Sequence, residues 1–366
     1  MKKIRVGILF GGRSAEHEVS LQSAKNIIEA IDKKKYSVVL IGIDKKGKWF
    51  LNEAAHFLLH ADNPKLIKLN RAGTGVTLVP GSKGGKLISL SGGQSAGPVD
   101  VVFPVLHGPF GEDGTVQGFL KLANVPFVGA SVLGSAIGMD KDVLKRLLRG
   151  AGIPTAKFLA FERKATRDID FNAVVEQLGL PHFVKPANMG SSVGINKVKS
   201  ESDFRSAVNE AFKYDTKILI EEAIAGRELE CSVLGNDHAI ASIPGEIVPH
   251  HEFYSYDAKY IDENGAALEI PAKLPEHIVK KVQDMAVRAF DALCCEGMAR
   301  VDFFLRGEDE VIVNELNTIP GFTRISMYPK LWEASGIPVT ELIDRLIKLA
   351  FERYEREQRL KTKVEM

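Results

Sequence analysis

The chain has 366 residues, of which 45% are hydrophobic and 26% carry a charge. Such proportions exclude a disordered or collagen-like chain, and the length predicts two or three domains. Forty-eight basic and 47 acidic residues leave a net charge of +1, which argues against nucleic acid or a membrane surface as partner and favours a function confined to a cleft. Three cysteines without CxxC spacing exclude a disulfide framework and a zinc ribbon, so we expect a reducing, cytoplasmic location.

The amino-terminal third has the pattern of an α/β domain with parallel strands. Apolar runs at residues 4–10 and 36–43 predict two strands, and the apolar stripe between them predicts a helix capped by Ser20. A third predicted strand, at 99–105, leads into the loop 107–114. Because functional loops of parallel sheets follow the carboxyl ends of strands, we expect this loop to belong to a site.

Two stretches in this region are less regular. Residues 63–98 show no firm periodicity and are expected to form irregular hairpins or loops. Residues 122–139 are uncharged, but they contain a proline and several glycines, so we interpret them as strand and loops rather than as a membrane span. Asp140 then predicts the cap of a helix at 141–149 and, with it, a domain boundary.

The remaining chain predicts antiparallel strands and two long helices. The predicted strands, separated by glycine loops in the first part, lie at residues 182–185, 193–198, 217–222, 228–234, 298–305 and 311–316. A helix opened by Pro275 carries an apolar stripe formed by Ile278, Val282, Met285, Ala289 and Leu293. The last helix is predicted at 341–354, with Thr340 as its cap.

A lysine followed by a glycine-rich loop suggests a phosphate site. Lys185 ends a predicted strand, and Gly190, Ser191 and Ser192 lie in the loop before the next one. Backbone N–H groups of such a loop can close over phosphate oxygens while the lysine supplies positive charge. A glycine hairpin with an exposed lysine fits the same residues about as well, so this segment alone leaves both interpretations open.

Two predicted strands near the carboxyl end carry acidic side chains opposite each other. A tight turn centred on residues 308 and 309 would pair Asp302 with Glu315. The same register would pair Arg300 with Asn317 and put all four side chains on one face. Opposed carboxylates repel unless a positive charge lies between them, and Mg²⁺ takes carboxylate and amide oxygens together with substrate phosphates. The alternative is a solvent-facing hairpin whose acids pair with the arginine; the lysine loop favours the metal site.

Longer motifs give the chain a family resemblance. The lysine loop, the strand at 218–222, and the set Asp302, Glu315 and Asn317 resemble the ATP-grasp superfamily. Within that superfamily, five segments in order along nearly the whole chain resemble the D-alanine:D-alanine ligase family: FGGRSAEHEVS (10–20), HGPFGEDG (107–114), YDAKY (256–260), NELNTIPG (314–321) and SMYPKLW (326–332).

The resemblance implies a fold and a domain organisation. The fold class is α/β, α+β overall, with an ATP-grasp architecture of three domains. These are an N-terminal parallel-sheet domain at 1–138, a central lid domain at 139–228, and a C-terminal catalytic and metal-binding domain at 229–366. ATP would lie between the central and C-terminal domains.

The resemblance also implies an ATP-dependent ligase that joins two D-alanines through a D-alanyl phosphate and supplies the dipeptide for the peptidoglycan precursor. Asp302, Glu315 and Asn317 would hold two Mg²⁺ ions, or Mn²⁺ in their place. By motif position, the residues that would contact ATP are Lys141, Phe183, Lys185, Ser191, Ser192, Glu221, Glu222, Ile224, Glu228, Lys259, Phe304, Asn314 and Glu315. Glu221 to Ile224 would meet the adenine through backbone groups.

Amino-acid binding follows from the same motifs. Glu16 would pair with the ammonium of the first D-alanine, and His107 would also be a substrate-binding residue. Arg300 and the N–H of Gly321 would stabilise the oxyanion that forms when the second amine attacks. The resemblance further implies that Ser326 and the Met327 backbone bind the carboxylate of the second D-alanine.

A lid over this site is implied by the segment 250–260. Tyr260 would join Ser191 and Glu16 in a hydrogen-bonded latch that excludes water from the acyl phosphate. Lys259 would orient carboxylate and phosphate, and together with Tyr256 and Tyr260 it favours D-alanine over D-lactate as the second substrate.

Two alternatives remain at this point. One is another ATP-grasp carboxylate ligase, such as a D-alanine:D-lactate ligase, and the other is a non-catalytic ATP-binding module. The expected partners are ATP and D-alanine, with no nucleic acid and no membrane, and the resemblance suggests a homodimer formed through the first domain.

Overall fold

Three large β-sheets with helices packed on them make up the described part of the chain. The structure is a computed structural model that describes residues 2–53, 57–61, 63, 66–81, 85–92, 95–164, 169–249 and 266–361. Its strands are β1 (Ile4–Gly11), β2 (Tyr36–Ile43), β3 (Trp49–Asn52), β4 (Leu58–Leu59), β5 (Lys68–Leu69), β6 (Thr74–Leu78), β7 (Lys86–Ser89), β8 (Ser95–Pro98), β9 (Val101–Val105), β10 (Phe158–Glu162), β11 (His182–Pro186), β12 (Asn196–Val198), β13 (Lys217–Glu222), β14 (Arg227–Gly235), β15 (Ile240–Ala241), β16 (Gly245–Pro249), β17 (Ala266–Glu269), β18 (Gly297–Arg306) and β19 (Glu310–Asn317). Its α-helices are α1 (His17–Ala30), α2 (Thr115–Leu122), α3 (Val132–Met139), α4 (Lys141–Gly150), α5 (Phe171–Leu178), α6 (Glu201–Tyr214), α7 (Glu276–Ala292), α8 (Met327–Ala334) and α9 (Val339–Gln358). No helix within these ranges is long and apolar enough to cross a membrane.

The first sheet has seven strands in the order β8-β7-β6-β3-β2-β1-β9. β1 pairs in parallel with β2 and β9, which confirms the predicted parallel core. The segment 63–98 is more regular than predicted, because β6, β7 and β8 form antiparallel hairpins that extend this sheet. Burial of Val76, Leu78 and Leu87 against the rest of the sheet stabilises these short strands.

Two local predictions in this region are wrong. α1 begins at His17 without a side-chain cap, and Ser20 lies inside it. The Ser20 hydroxyl instead accepts from Gly11 N at 2.7 Å and donates to the Val105 carbonyl, so it ties the helix to two strands. Residues 132–139 form a helix rather than strand and loops, because Ser131 caps its start by accepting from the Gly134 N–H.

The central region contains a four-stranded antiparallel sheet in the order β10-β13-β11-β12. α5 and α6 cover one face of it through a shared apolar cluster. The predicted cap at Asp140 is confirmed, since its side chain accepts from the backbone N–H groups of Asp142 and Val143. The sheet and α4 therefore bring Lys185 and Lys141 to neighbouring element ends, where long side chains can reach a common cleft.

A third sheet occupies the carboxyl-terminal half, with the order β17-β16-β14-β18-β19 and with β15 on β14. α7 buries the predicted apolar stripe against this sheet. The last helix begins earlier than predicted, at Val339 after Pro338, and has no side-chain cap. Thr340 is not the cap, because its hydroxyl donates to the Ala30 carbonyl at 2.8 Å.

The carboxyl-terminal helices pack against the amino-terminal sheet. One hydrophobic cluster combines Phe10 and Phe103 of the first sheet with Tyr328 and Trp332 of α8. The rings of Phe103 and Phe322 meet edge to face, with centroids 6.0 Å apart. This shared core holds β18 and β19 beside the loops that follow β1 and β9. The three domain bounds given above remain a prediction.

Candidate active site

Two adjoining clefts lie where the three sheets meet. The first cleft is lined by residues from all three regions, among them Glu16, His107, Arg300, Asn317, Gly321, Ser326 and Met327. The second cleft lies between the central and carboxyl-terminal sheets and is lined by Phe183, Lys185, Ser192, Glu221, Glu222, Ile224, Glu228, Phe304 and Asn314, among others. Both clefts share Lys141, Met189, Ser191 and Glu315.

Most residues singled out from the sequence therefore lie together. Asp302 is not among the lining residues of either cleft, and its carboxylate accepts two hydrogen bonds from Arg300. Lys259 and Tyr260, with the rest of 250–265, lie outside the described residues.

The Glu16 carboxylate is enclosed by two glycine loops. Glu16 is only 6% exposed, and the Ser191 hydroxyl donates to its Oε1. A Cβ built on Gly108 would lie 2.6 Å from Glu16 Oε2, and one built on Gly190 would lie 3.1 Å away. Only residues without side chains allow both loops to approach the carboxylate this closely. The contact between Glu16 and Ser191 that the latch requires is present.

His107 is buried in the wall of the first cleft. Its Nδ1 lies 3.0 Å from the Ile319 carbonyl oxygen and its Nε2 lies 3.2 Å from Ser23 Oγ. Burial lowers the pKa of His107 to about 4, so the ring is neutral at physiological pH. Its contacts hold the 318–322 loop against α1, which makes it a residue that shapes the cleft.

Glu112 is a buried carboxyl in the first cleft that sequence reasoning did not select. Its Oε2 accepts from Gly108 N at 2.6 Å. Burial, followed by the repulsion of Glu16, raises the pKa of Glu112 well above its usual value. The available signal was its position inside the 107–114 motif, but no spacing rule distinguishes it from the half-buried Asp113 beside it.

Arg300 is held by carboxylates on two strands. Its Nε lies 2.7 Å from Asp302 Oδ1 and 2.9 Å from Glu230 Oε2, and its Nη2 lies 2.7 Å from Asp302 Oδ2. Glu230 was missed because it faces Asp302 across β14 and β18, a pairing between strands far apart in sequence. Two carboxylates fix the guanidinium at the cleft wall in one orientation.

The pairing of β18 with β19 confirms the predicted register at the site. Asp302 faces Glu315, and Arg300 faces Asn317. The predicted turn is wrong, however, because Arg306 pairs with Glu310 and leaves the three residues 307–309 in the loop.

A β-bulge between Asp302 and Phe303 reconciles these two findings. Phe303 pairs with Val313, so Asn314 is an extra residue on β19. Without it, the two-residue period would put Glu315 on the core side together with Val311 and Val313. The extra residue therefore turns the Glu315 carboxylate toward the clefts.

The lysines of the second cleft are held by partners on neighbouring elements. Lys141 Nζ donates to the Met189 carbonyl at 2.6 Å and lies 3.7 Å from Glu315 Oε2. Lys185 Nζ donates to Glu221 Oε1 at 2.8 Å. The Glu221 side chain thus binds a lysine, while the sequence prediction concerned the backbone of this segment.

The residues predicted to hold metal have a suitable donor chemistry. Asp302 and Glu315 face each other across two strands, and Asn317 adds an amide whose Oδ1 accepts from Ile319 N at 2.9 Å. Among the described residues there is no group of three or more His, Cys, Asp or Glu side chains of the kind that holds a metal by itself. Two carboxylates and an amide, completed by water and phosphate, suit Mg²⁺ better than Zn²⁺.

Comparisons with known proteins agree on one family. The family models described as D-ala D-ala ligase N-terminus and D-ala D-ala ligase C-terminus match residues 5–130 and 147–348. A D-alanine–D-alanine ligase of Shouchella clausii is 60% identical over 100% of this chain and 99% of its own length. D-alanine–D-alanine ligase A of Escherichia coli K12 is 55% identical over 99% of this chain and 100% of its own length.

Solved structures show the same relationship. The D-alanine–D-alanine ligase of Coxiella burnetii superposes with a TM-score of 0.86 at 41% identity, covering 98% of this chain and 97% of that one. The VanG D-Ala:D-Ser ligase of Enterococcus faecalis has a TM-score of 0.83 at 36% identity, covering 95% and 100%. The ATP-grasp fold predicted from the sequence is thereby confirmed.

Proposed function

Since the chain belongs to the D-alanine–D-alanine ligase family, we propose that it joins two D-alanines into D-alanyl-D-alanine for peptidoglycan synthesis, at the expense of ATP. The observation that carries this proposal is the junction of the two clefts at Lys141, Ser191 and Glu315. A nucleotide in the second cleft would point its terminal phosphate toward an amino-acid carboxylate in the first. Neither cleft by itself would bring those two groups together.

The chemistry proceeds in two steps. A carboxylate is a poor electrophile, so the carboxylate of the first D-alanine attacks the γ-phosphorus of ATP, giving an acyl phosphate and ADP. The amine of the second D-alanine, once deprotonated, then attacks the acyl carbon, and inorganic phosphate leaves. Lys141 and Lys185 would bind phosphate oxygens and offset the charge that moves during the transfer.

The first cleft supplies the groups for the amino acids. Glu16 would bind the ammonium of the first D-alanine, and Arg300 with the Gly321 N–H would stabilise the oxyanion on the acyl carbon. The second carboxylate would lie near Ser326 and Met327. Support for this placement comes from α8, which begins at Met327, because the backbone N–H groups and the positive dipole end at a helix start favour the binding of an anion.

Asp302, Glu315 and Asn317 would hold Mg²⁺, or Mn²⁺ in its place. The chemistry supplied there would be positive charge that neutralises part of the negative charge on the phosphates. The bulge at Asn314 supports this role for Glu315, because it turns this carboxylate out of the core at the junction of the clefts. We assign ATP contacts to the second-cleft residues named above and to Lys259.

The identity of the second substrate is the most detailed part of the proposal. D-alanine is favoured over D-lactate by the pattern of Tyr256, Lys259 and Tyr260, which would close the site as a lid with Ser191 and Glu16. The VanG relative from Enterococcus faecalis is a D-Ala:D-Ser ligase, so D-serine is a further acceptor to test. We also propose a cytoplasmic homodimer, on the family resemblance, with small molecules as the substrates.

One experiment tests the function. Purified protein is incubated with ATP, MgCl₂ and D-alanine, ADP is followed by a coupled assay, and the dipeptide is identified by mass spectrometry. L-alanine is the negative control, and D-lactate or D-serine is added in competition as acceptor. Dipeptide and ADP in equal amounts are expected. ATP binding without dipeptide in a folded protein would instead indicate a non-catalytic nucleotide-binding module.

A further inference from the structure

Three buried charged side chains form a connected group in the wall of the second cleft. Lys145 Nζ lies 2.9 Å from Glu221 Oε2, and Lys185 Nζ lies 2.8 Å from Glu221 Oε1. The side chains of Lys145 and Glu221 are 0% and 3% exposed, and that of Lys185 is 10% exposed. Each carboxylate oxygen therefore serves a different lysine, and α4, β13 and β11 are joined through one buried carboxylate. Lys185 faces the cleft, whereas Lys145 does not line it.

The charges in this group do not cancel. Two ammonium groups share one carboxylate, and the two lysines hold the pKa of Glu221 below its usual value despite burial. Burial and the neighbouring Lys185 lower the pKa of Lys145, while Glu221 opposes that shift. Because Glu221 is shared with Lys145, it neutralises only part of the charge of Lys185. The positive charge that remains on Lys185 at the cleft can bind an anionic phosphate.

Lys145 also contacts the bulge on β19. Its Nζ donates to the Asn314 carbonyl at 2.9 Å, and Asn314 is the extra residue that turns Glu315 toward the clefts. An extra residue in a ladder leaves its backbone groups without the regular strand partners. The lysine therefore satisfies a carbonyl that the distorted ladder does not.

We propose that Lys145 is a positioning residue for nucleotide binding, which holds Glu221 and the Asn314 bulge so that Lys185 and Glu315 meet the phosphates of ATP together. This inference rests on the proposed function only in that the second cleft takes ATP. Lys145 touches no substrate. It acts in two ways. It shares the Glu221 carboxylate, which would otherwise neutralise Lys185 alone, and it holds the β-bulge at Asn314 in place.

The test removes the charge of Lys145 with an isosteric apolar side chain. In Lys145→Met, Glu221 has Lys185 as its remaining lysine, so we expect ATP and ADP affinity, titrated without amino acids, to fall about tenfold or more. The KM for D-alanine should change by less than about twofold. In Lys145→Met/Glu221→Gln the unshared carboxylate is gone, and most of the lost nucleotide affinity should return.

Lys217→Met is the matched control. Lys217 is also an ion-paired lysine, bound to Asp140 and Asp142, but it lines neither cleft. It should lower thermal stability and leave ATP affinity within about twofold of the parent protein. If Lys145→Met does not fold, Lys145→Gln replaces it, because it can still donate to the Asn314 carbonyl but brings no charge to Glu221; the same tenfold loss is expected.

Three outcomes would overturn the proposal. The first is a folded Lys145 variant that binds ATP as the parent protein does, and the second is a double variant that binds ATP as weakly as the single one. The third is a parent protein that binds no ATP, which would also remove its premise. Because binding is titrated without D-alanine, a parent protein that binds ATP but makes no dipeptide refutes the proposed function and leaves this test in force.

Discussion

Replacing Gly108 by alanine would displace the carboxylate on which amino-acid binding is proposed to depend. Gly108 has a φ of +73° in the left-handed region, and an added Cβ would lie 2.6 Å from Glu16 Oε2 and 3.4 Å from Ser14 Cβ. Its N–H also donates to Glu112, so the loop is tied down from the other side. The new methyl group must therefore push the Glu16 carboxylate aside.

Two separate costs follow from this geometry. The left-handed conformation costs a residue with a Cβ about 1–2 kcal/mol, partly offset by about 0.4–1 kcal/mol from the smaller entropy of the unfolded chain. The net loss of stability is the difference between these two terms, about 1 kcal/mol. A charge-assisted contact between Glu16 and a substrate ammonium is worth about 1.5–3 kcal/mol, so its loss lowers kcat/KM for D-alanine about 10- to 100-fold.

Gly152→Ala separates these costs. Gly152 also has a positive φ, +67°, but an added Cβ there meets no atom within 4 Å. Urea denaturation should give both variants a similar loss of stability, whereas steady-state ADP release should show the loss of kcat/KM in Gly108→Ala alone. Nucleotide affinity should be unchanged in both. Equal kcat/KM values for the two variants would refute the placement of Glu16 at the ammonium.

Three further predictions concern the metal, the buried histidine and the lid. Glu315→Gln should abolish turnover and leave the melting temperature within a few degrees of that of the parent protein, because it removes a charge from the metal site and not from the core. Activity near that of the parent protein at saturating Mg²⁺ would contradict the assignment of Glu315 to the metal site. Burial lowers the pKa of His107 from 6.5 to about 4, so the folded protein binds fewer protons than the unfolded chain in that range and loses stability as the pH falls from about 6.5 to 4. His107→Gln should therefore reduce the loss of unfolding free energy between pH 7 and pH 5, measured by urea titration, and an identical pH dependence would show that His107 does not titrate there. Tyr260→Phe should loosen the proposed latch and let D-lactate compete better with D-alanine as acceptor, and an unchanged ratio of dipeptide to depsipeptide would argue against the latch.

Many elements were predictable because local chemistry determines them. The strand Tyr36–Ile43 is a run of apolar residues, and it is observed with the predicted bounds. Asp140 caps α4 because its side chain reaches N–H groups two and three residues away. The stripe of α7 repeats with the helical period and is buried. Where a nearby residue of the right type had another partner, as Ser20 and Thr340 do, the same reasoning failed.

The sequence predicted those site residues that lie inside motifs shared with the family. The predicted ATP contacts within the described residues all line the second cleft. Glu112 and Glu230 were not predicted as site residues, because the sequence around an acidic residue does not show whether its side chain is exposed or buried. The predicted pairing of Asp302 with Glu315 was right, although the predicted two-residue turn was wrong. The β-bulge adds one residue to β19 and so compensates for the longer loop.

The amino-acid sequence by itself determined the family, the order of the elements and the residue types that carry the chemistry. The tertiary structure alone decided that Arg300 is shared between Asp302 and Glu230, and that Lys145 and Lys185 divide one carboxylate. The physical reason is that periodicity and capping act over a few residues along the chain. Buried charges, in contrast, are satisfied by partners from distant elements, and only packing brings those elements within a few ångströms of one another.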